Sequence, residues 1–132
     1  MTILIKIIIQ FLLRTSLSLI NFSLSVEQRY DLISSVGEEV IQKEELYELL
    51  KNKQRPICYD GFEPSGRMHI AQGVLRVINV NKLVEAGCEF IFWVADWFAL
   101  MNNKMGGDLE KIRVVGRYFI EIWRAAGMSR LE

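Results

Sequence analysis

The sequence predicts an α/β fold with parallel strands, and three observations support this prediction. Residues 57–59 and 88–95 are short apolar runs bounded by turn residues, which is typical of buried strands. Residues 69–86 between them carry apolar side chains at helical spacing. The links between these segments are short. A strand, a helix and a strand in this order form a βαβ unit, so the strands should be parallel with a right-handed crossover.

The amino-acid composition of the chain is typical of a single globular domain. The chain has 132 residues, of which 51% are hydrophobic and 24% charged. Sixteen basic and sixteen acidic residues give no net charge, so any nucleic-acid role requires a local surface. Cys58 and Cys88 lie in no CxxC motif and have no histidine neighbour, which disfavours a zinc site and predicts reduced core thiols. No metal site is predicted.

Residues 1–24 form an apolar leader of uncertain order, which we separate from the fold. Lys6 and Arg14 are its only charges, and Arg14 interrupts the apolar run, so a transmembrane span is not predicted. An organellar transit peptide, a weak secretory signal and a non-native or poorly ordered extension remain alternatives. If residues 1–23 are genuine, an organellar or membrane-associated location is open.

Residues 25–54 are predicted to be a helical preface. Ser25 and Gln28 match a capping box at the start of a first helix, which Gly37 breaks. A second helix over residues 38–53 is predicted from apolar positions at helical spacing: Val40, Ile41, Leu46, Leu49 and Leu50. Pro56 then separates this preface from the α/β part, residues 55–132.

In the α/β part, the helix over residues 69–86 should end at Gly87, a left-handed cap. The following strand, residues 88–95, is nearly all apolar, so we expect both of its faces to be covered. Asp108 should cap a last helix that Gly127 ends. Since two parallel strands make a poor sheet alone, we expect the chain to be cut off inside a larger domain.

The segment DGFEPSGRM, residues 60–68, follows the first strand at the edge where parallel sheets bind ligands. Gly61 and Gly66 permit close backbone approach, and the helix beginning near His69 offers free amides to a phosphate. The segment matches neither the dinucleotide fingerprint nor the P-loop, which disfavours both classes. A tight turn built from the glycines and Pro64 is the simpler alternative.

His69 is the only histidine, and in a first helical turn it can donate a hydrogen bond or a positive charge to a phosphoryl oxygen. Gln72, about one turn later, adds a neutral donor. A solvated, structural histidine is the alternative. Asp60 and Glu63 show no hydrolase arrangement and are predicted to be solvated loop acids.

Asp96 ends the second strand, where its carboxylate could orient a ligand amine or cap the next turn, with the cap favoured. Four aromatic residues are predicted to form core rather than a base-stacking platform: Trp93, Trp97, Phe98 and Trp123.

Together these residues resemble the amino-terminal half of the catalytic domain of tyrosyl-tRNA synthetases of the archaeal and eukaryotic type, which are class I aminoacyl-tRNA synthetases. The resemblance covers residues 26–128 and rests on YDGFEPSG (59–66), HIAQ (69–72) and VADW (94–97). It implies a partial Rossmann-like domain. In that family the histidine tetrapeptide is the HIGH signature, which binds ATP and stabilises the transition state as the amino-acid carboxylate attacks the α-phosphate.

The resemblance implies catalytic roles for His69 and Gln72. Gln72 stands at the second histidine position, where it could donate but could not supply imidazolium charge. The implied ATP-binding residues are Gly61, Phe62, Glu63, Gly66, His69 and Gln72. The implied tyrosine-binding residues are Tyr59, Gly61, Ala95 and Asp96. Backbone contacts are expected at Phe62 and Glu63, and Phe98 stands at a family histidine position without an assigned role.

The resemblance further implies activation of tyrosine with ATP and Mg²⁺, transfer to tRNA-Tyr, a homodimeric parent protein and a cytoplasmic location. The KMSKS-type loop and the anticodon-recognition domain lie beyond Glu132 in complete relatives, so the chain alone should be inactive. The alternatives are another HIGH-containing nucleotidyltransferase, a tryptophanyl-tRNA synthetase, and a non-catalytic truncated gene product. No membrane association is predicted.

Overall fold

The computed structural model describes residues 24–129, so the predictions for residues 1–23 lie outside the described range. The elements, in chain order, are α1 (Val26–Ser34), α2 (Lys43–Asn52), β1 (Ile57–Phe62), a π-helical segment (Ala71–Leu75), α3 (Arg76–Glu85), β2 (Glu89–Val94), α4 (Asp96–Met101), a 3₁₀ turn (Lys104–Gly106) and α5 (Leu109–Ala125).

β1 and β2 are parallel, with Ile57 opposite Glu89 and Phe62 opposite Val94, which confirms the predicted βαβ pairing. β1 extends beyond the predicted residues 57–59. Asp60 therefore belongs to the strand and not to the following loop, because β1 stays paired along the full six residues of β2. The glycine that looked like a turn residue, Gly61, is paired opposite Trp93.

One face of this sheet carries the core. Phe62 and Phe92 point toward α5, where Phe119 stacks on Phe62 with ring centroids 5.5 Å apart and Trp123 stacks on Phe92 at 4.5 Å. The buried core residues are contributed mainly by α3 and α5: Val77, Val80, Val84, Phe119, Trp123 and Met128.

The opposite face of the sheet is uncovered by the described residues. Tyr59 is 77% exposed there, and Ile57, Ile91 and Trp93 are also exposed. The prediction that the second strand is covered on both faces is therefore wrong for residues 24–129. A continuous apolar run does not reveal which of its two alternating faces has a partner.

The predicted aromatic core is correct only in part. Trp123 is 1% exposed, but Trp93, Trp97 and Phe98 are 46–59% exposed. Trp93 is exposed because its strand position points to the uncovered face, and Phe98 packs edge-on against it with ring centroids 5.6 Å apart.

The helical preface forms, with one boundary corrected. The Ser25–Gln28 capping box is present in both directions. The second helix begins at Lys43 rather than at residue 38, and Ile41 in the connecting segment is 89% exposed. The adjacent β-branched residues Val40 and Ile41 disfavour a helix, whereas acidic residues just after Lys43 favour a helix start there.

Arg29 joins the preface to the α/β part. Its guanidinium donates hydrogen bonds to four backbone carbonyls, at distances of 2.8 to 3.3 Å, and these belong to Ala86, Leu50, Lys53 and Gln54. Three of them lie at the end of α2 and one lies at the end of α3. The fork of donors on a guanidinium suits such a convergent set of acceptors.

Local signals fixed the remaining boundaries. Asp108 caps α5 by accepting from the Lys111 amide at 3.1 Å, and this hydrogen bond is the main cause of the lowered pKa of Asp108. Gly87 and Gly127 have φ of 88° and 84°, as expected of left-handed helix caps. Cys58 and Cys88 are free thiols, as predicted, but only Cys88 is buried in the core and Cys58 is partly exposed.

Candidate functional site

The candidate site lies where β1 and β2 end side by side. The Ala95 amide donates to the Phe62 carbonyl at 2.9 Å, so the two strand ends are joined directly. The chain then leaves β1 through residues 63–69 and enters a helix at Ile70. This loop begins three residues later and ends one residue later than the predicted segment 60–68, yet it occupies the predicted edge of the sheet.

The first residues of this loop are anchored. Pro64 is fully buried, and a Cβ at Gly116 of α5 would lie 3.5 Å from its ring. Glu63 accepts a hydrogen bond from the Asn102 side chain at 2.7 Å, so this predicted solvated loop acid also has a partner within the protein. Gly66 has φ of 149°, a conformation that side-chain-bearing residues rarely adopt.

Asp60 is also not a solvated loop acid, because it forms an ion pair with Arg76, the first residue of α3. The two side chains are 41% and 26% exposed. The pair connects the strand before the loop to the helix after it, which limits how far the loop ends can separate.

The HIAQ tetrapeptide forms the beginning of the helix. The Gln72 side-chain oxygen accepts from the His69 amide at 3.2 Å, in the manner of a capping glutamine, and the Gly73 amide donates to the His69 carbonyl at 2.9 Å. The His69 side chain is exposed at this helix start. Among residues 24–129, no group accepts a hydrogen bond from the side-chain nitrogen of Gln72, Nε2. Both N–H groups of this nitrogen are therefore available to a ligand.

The predicted tyrosine-binding residues fall into two places. Tyr59 and Gly61 are neighbours on the uncovered face of β1, and Gly61 lies beside Trp93, whose ring is 3.5 Å from where a Cβ would stand. Ala95 is buried, and its amide is bonded to the Phe62 carbonyl. Asp96 begins α4.

Asp96 is held firmly by two contacts. One carboxylate oxygen accepts from the Trp97 amide at 2.8 Å, and the other accepts from the Arg113 guanidinium at 3.1 Å. This hydrogen bond to Asp96 is the main cause of the raised pKa of Arg113. The first contact joins neighbouring residues and is not the helix cap that the sequence favoured, because the N-cap position of α4 is Ala95 and no side chain caps this helix. The second contact fixes the carboxylate relative to α5.

Four contributors to the site were missed by sequence reasoning: Arg76, Asn102, Arg113 and Trp123. Trp123 donates its indole N–H to the Gln72 carbonyl at 2.9 Å, across 51 positions of sequence. No local pattern identifies such partners, because each one is brought to the site by packing. The charge of Arg76 was visible, but its pairing with Asp60 was not.

None of the helices between residues 24 and 129 is long and apolar enough to cross a membrane. Over the same range, no three His, Cys, Asp or Glu side chains are grouped so that they could hold a metal ion.

The sequence profile described as tRNA synthetases class I (W and Y) matches residues 51–130. Tyrosine–tRNA ligase 1, cytoplasmic, of Arabidopsis thaliana is 68% identical over 109 residues, which are 83% of this chain and 28% of that protein. Tyrosine–tRNA ligase of Picrophilus torridus is 37% identical over 99 residues, which are 75% of this chain and 30% of that protein.

Solved structures give the same result. Leishmania major tyrosyl-tRNA synthetase in complex with tyrosinol superposes with a TM-score of 0.79 and 64% identity, over 81% of this chain and 20% of that one. Tyrosyl-tRNA synthetase from Aeropyrum pernix superposes with a TM-score of 0.73 and 39% identity, over 79% of this chain and 31% of that one.

The chain spans less than a third of the length of each of these relatives. The matches confirm the predicted α/β, Rossmann-like fold and the resemblance drawn from the loop, the HIAQ tetrapeptide and the second strand end. The chain belongs to the class I tRNA synthetases of the W and Y family.

Proposed function

We propose that this chain provides the ATP-facing part of a tyrosine–tRNA ligase. The enzyme would join tyrosine to AMP as tyrosyl-adenylate and then transfer the tyrosyl group to tRNA-Tyr. The observation that carries the proposal is the placement of the His69–Gln72 turn at the end of the loop that leaves β1, a strand whose uncovered face presents Tyr59. One strand thereby connects a phosphate-facing turn with a phenol-bearing surface.

His69 and Gln72 would act on ATP. As the tyrosine carboxylate attacks the α-phosphate, negative charge develops on the phosphoryl oxygens, and the exposed His69 imidazole would donate to it. The Gln72 amide nitrogen would add a neutral donor, since its oxygen is already engaged with the His69 amide. Gly61 and Gly66 would allow the nucleotide close to the backbone, with Phe62 and Glu63 contributing main-chain groups.

The side chains of Phe62 and Glu63 support this division. Phe62 packs edge-on against Trp123 with ring centroids 4.9 Å apart, and Glu63 is bonded to Asn102. Both side chains are therefore occupied within the protein, and their backbone groups are the parts that can face ATP.

Tyr59 and Gly61 would contact tyrosine. The Tyr59 phenol, on the uncovered face, would reach the hydroxyl of the substrate ring, and Ala95 and Asp96 would border the amino-acid pocket. The tyrosinol bound in the Leishmania major relative supports a tyrosine-like ligand. A phenol-to-phenol hydrogen bond would distinguish tyrosine from phenylalanine, because a polar group left unpaired in a buried site costs binding energy.

ATP would enter as its magnesium complex. Residues 24–129 bring together no group of metal ligands, so the ion would be carried by the phosphates of the nucleotide rather than by these side chains. We also propose a cytoplasmic location, which the name of the Arabidopsis relative supports, and a homodimeric assembly. The match to the W and Y family leaves tryptophan as the rival substrate.

A hybrid enzyme tests the proposal. Residues 24–129 would replace the equivalent segment of the Arabidopsis ligase, whose 68% identity favours a folded product. We expect tyrosine-dependent exchange of pyrophosphate into ATP, with tryptophan inactive. His69→Ala should lower kcat by about 100- to 1,000-fold, as the loss of one preorganised donor does. A folded hybrid that is inactive, or that prefers tryptophan, would contradict the proposal.

A further inference from the structure

The helix that begins with the HIAQ tetrapeptide is unusual in its first turns. Residues Ala71–Leu75 are π-helical, and regular α-helix resumes only at Arg76. π-helical turns are rare and occur often at functional sites, because they change the direction in which side chains and backbone groups point. Such a turn needs support from outside the helix to persist.

Trp123 provides that support from the core. Its indole N–H donates to the Gln72 carbonyl at 2.9 Å. A tryptophan indole has one donor and no acceptor, so a buried indole requires a fixed partner. At 1% exposure, no solvent can replace the Gln72 carbonyl for Trp123.

The indole direction is itself fixed by the two strand ends. Trp123 stacks on Phe92 with ring centroids 4.5 Å apart and 15° between planes, and it meets Phe62 edge-on at 4.9 Å. The donor therefore has a defined position relative to both β1 and β2. The same ring that fixes the sheet against α5 thus determines where the Gln72 backbone lies.

Gln72 connects the Trp123 indole to His69 through two hydrogen bonds. The Gln72 carbonyl is held by Trp123, and the Gln72 side-chain oxygen holds the His69 amide at 3.2 Å. The two bonds connect the core to the backbone of His69, whose side chain is exposed.

We infer that Trp123 is a positioning residue for adenylate formation, acting through the Gln72 carbonyl on the His69–Gln72 pair. This inference rests on the proposed function, in which that pair contacts ATP. Trp123 itself touches no substrate. Its hydrogen bond keeps the π-helical turn in the arrangement in which the Gln72 side-chain oxygen accepts from the His69 amide.

The first test uses the 132-residue chain alone, labelled with ¹⁵N-tryptophan. The chain has three tryptophans, and Trp93 and Trp97 are more than half exposed. We expect one indole N–H signal protected from exchange with D₂O and two unprotected signals. Trp123→Phe should remove the protected signal. Three indole signals that exchange at similar rates would overturn the inference, whether or not the variant folds.

The second test is hydrogen exchange of the backbone amides of residues 70–76. In Trp123→Phe we expect exchange to rise about tenfold in this segment, as the loss of one net hydrogen bond would cause. Phe119→Leu is the matched control, because Phe119 is equally buried in α5 and also contacts Phe62, but it donates nothing to Gln72. An equal rise in both variants would reduce Trp123 to a packing role and overturn the inference.

The third test places Trp123→Phe in the hybrid enzyme. We expect kcat for pyrophosphate exchange to fall about tenfold while the KM for tyrosine changes less than about twofold, since the loss is confined to the ATP-facing turn. A rise in the tyrosine KM with unchanged kcat would contradict the inference. If the unsubstituted hybrid is inactive, the proposed function fails, and the first two tests still decide whether Trp123 holds the turn.

Discussion

Gly116 of α5 packs so closely against Val94 that a Cβ at this glycine would lie 3.0 Å from the Val94 Cγ1 atom. The same position faces Pro64 at 3.5 Å. The absence of one side chain in α5 thus permits the end of β2 and the anchor of the loop to meet the helix together.

Gly116→Ala should therefore destabilise the chain, although alanine favours helices by about 1 kcal/mol over glycine. Overpacking against a fixed core costs about 1–3 kcal/mol, and the fully buried Pro64 leaves little room for adjustment. We expect a net loss of about 1 kcal/mol in urea unfolding. Val114→Ala, at an exposed position of α5, is the control and should change stability little. A Gly116→Ala variant as stable as the parent chain would refute the close-packing argument.

Arg29→Ala should destabilise the chain by about 1–3 kcal/mol, because carbonyls that are partly buried lose their donor. Arg29→Lys should recover only part of this loss, since an ammonium group cannot reach four acceptors in the geometry of a guanidinium. Denaturant unfolding measures both changes. Arg117→Ala, at an exposed position of α5, is the matched control. Equal stability of the lysine variant and the parent chain would show that charge alone suffices.

The contact between α1 and α2 should weaken in acid. Tyr47 donates to Glu27 at 2.7 Å, and this hydrogen bond is the main cause that lowers the pKa of Glu27 from 4.5 to about 2. A carboxyl pKa that is lower in the folded state stabilises folding above pH 4.5, and this stabilisation is lost as the pH falls toward 2.

Tyr47→Phe removes the donor and tests this pH dependence. The difference in unfolding free energy between the parent chain and the variant should be constant from pH 5.5 to 7.5. It should shrink as the pH is lowered from 4.5. A difference that stays the same down to pH 2.5 would mean that the ionised Glu27 does not contribute through Tyr47.

Cys58 should be the more reactive thiol. A hydrogen bond with Cys88 lowers the pKa of Cys58 to about 7 and raises that of Cys88, so the pair loses its first proton near neutral pH. Cys58 is also partly exposed, whereas Cys88 is buried. We expect iodoacetamide to modify Cys58 first at pH 7.5, as peptide mass spectrometry would show. Cys88→Ala should slow this reaction, and an unchanged rate would argue against the thiol pair.

Much of the fold was predictable because its signals are local. The Ser25 capping box, the Asp108 cap and the left-handed Gly87 each depend on residues within a few positions. Gly61 misled the prediction of the strand end, since a glycine was interpreted as a turn residue whereas cross-strand pairing kept it extended. The uncovered face could not be inferred either, because an apolar run is the same whether one or two faces are packed.

The site was predictable in its residue types and not in its connections. The roles assigned to Tyr59, His69 and Gln72 remain predictions that the hybrid enzyme tests. What the sequence did not reveal is how the turn is held. The Trp123 indole and the Gln72 carbonyl meet only because α5 crosses the sheet at the strand ends.

The hydrogen bonds of the Arg29 guanidinium also have an electrostatic consequence. Backbone dipoles give the end of a helix a partial negative charge, and Arg29 lies where the ends of α2 and α3 converge. One cation thus neutralises two like-charged helix ends that would otherwise repel each other. A version of the protein trimmed to begin after α1 would keep the sheet and the HIAQ turn, but it would place two negative poles side by side with no counterion. Removal of α1 would therefore remove the counterion of both helix ends together with the contacts of α1.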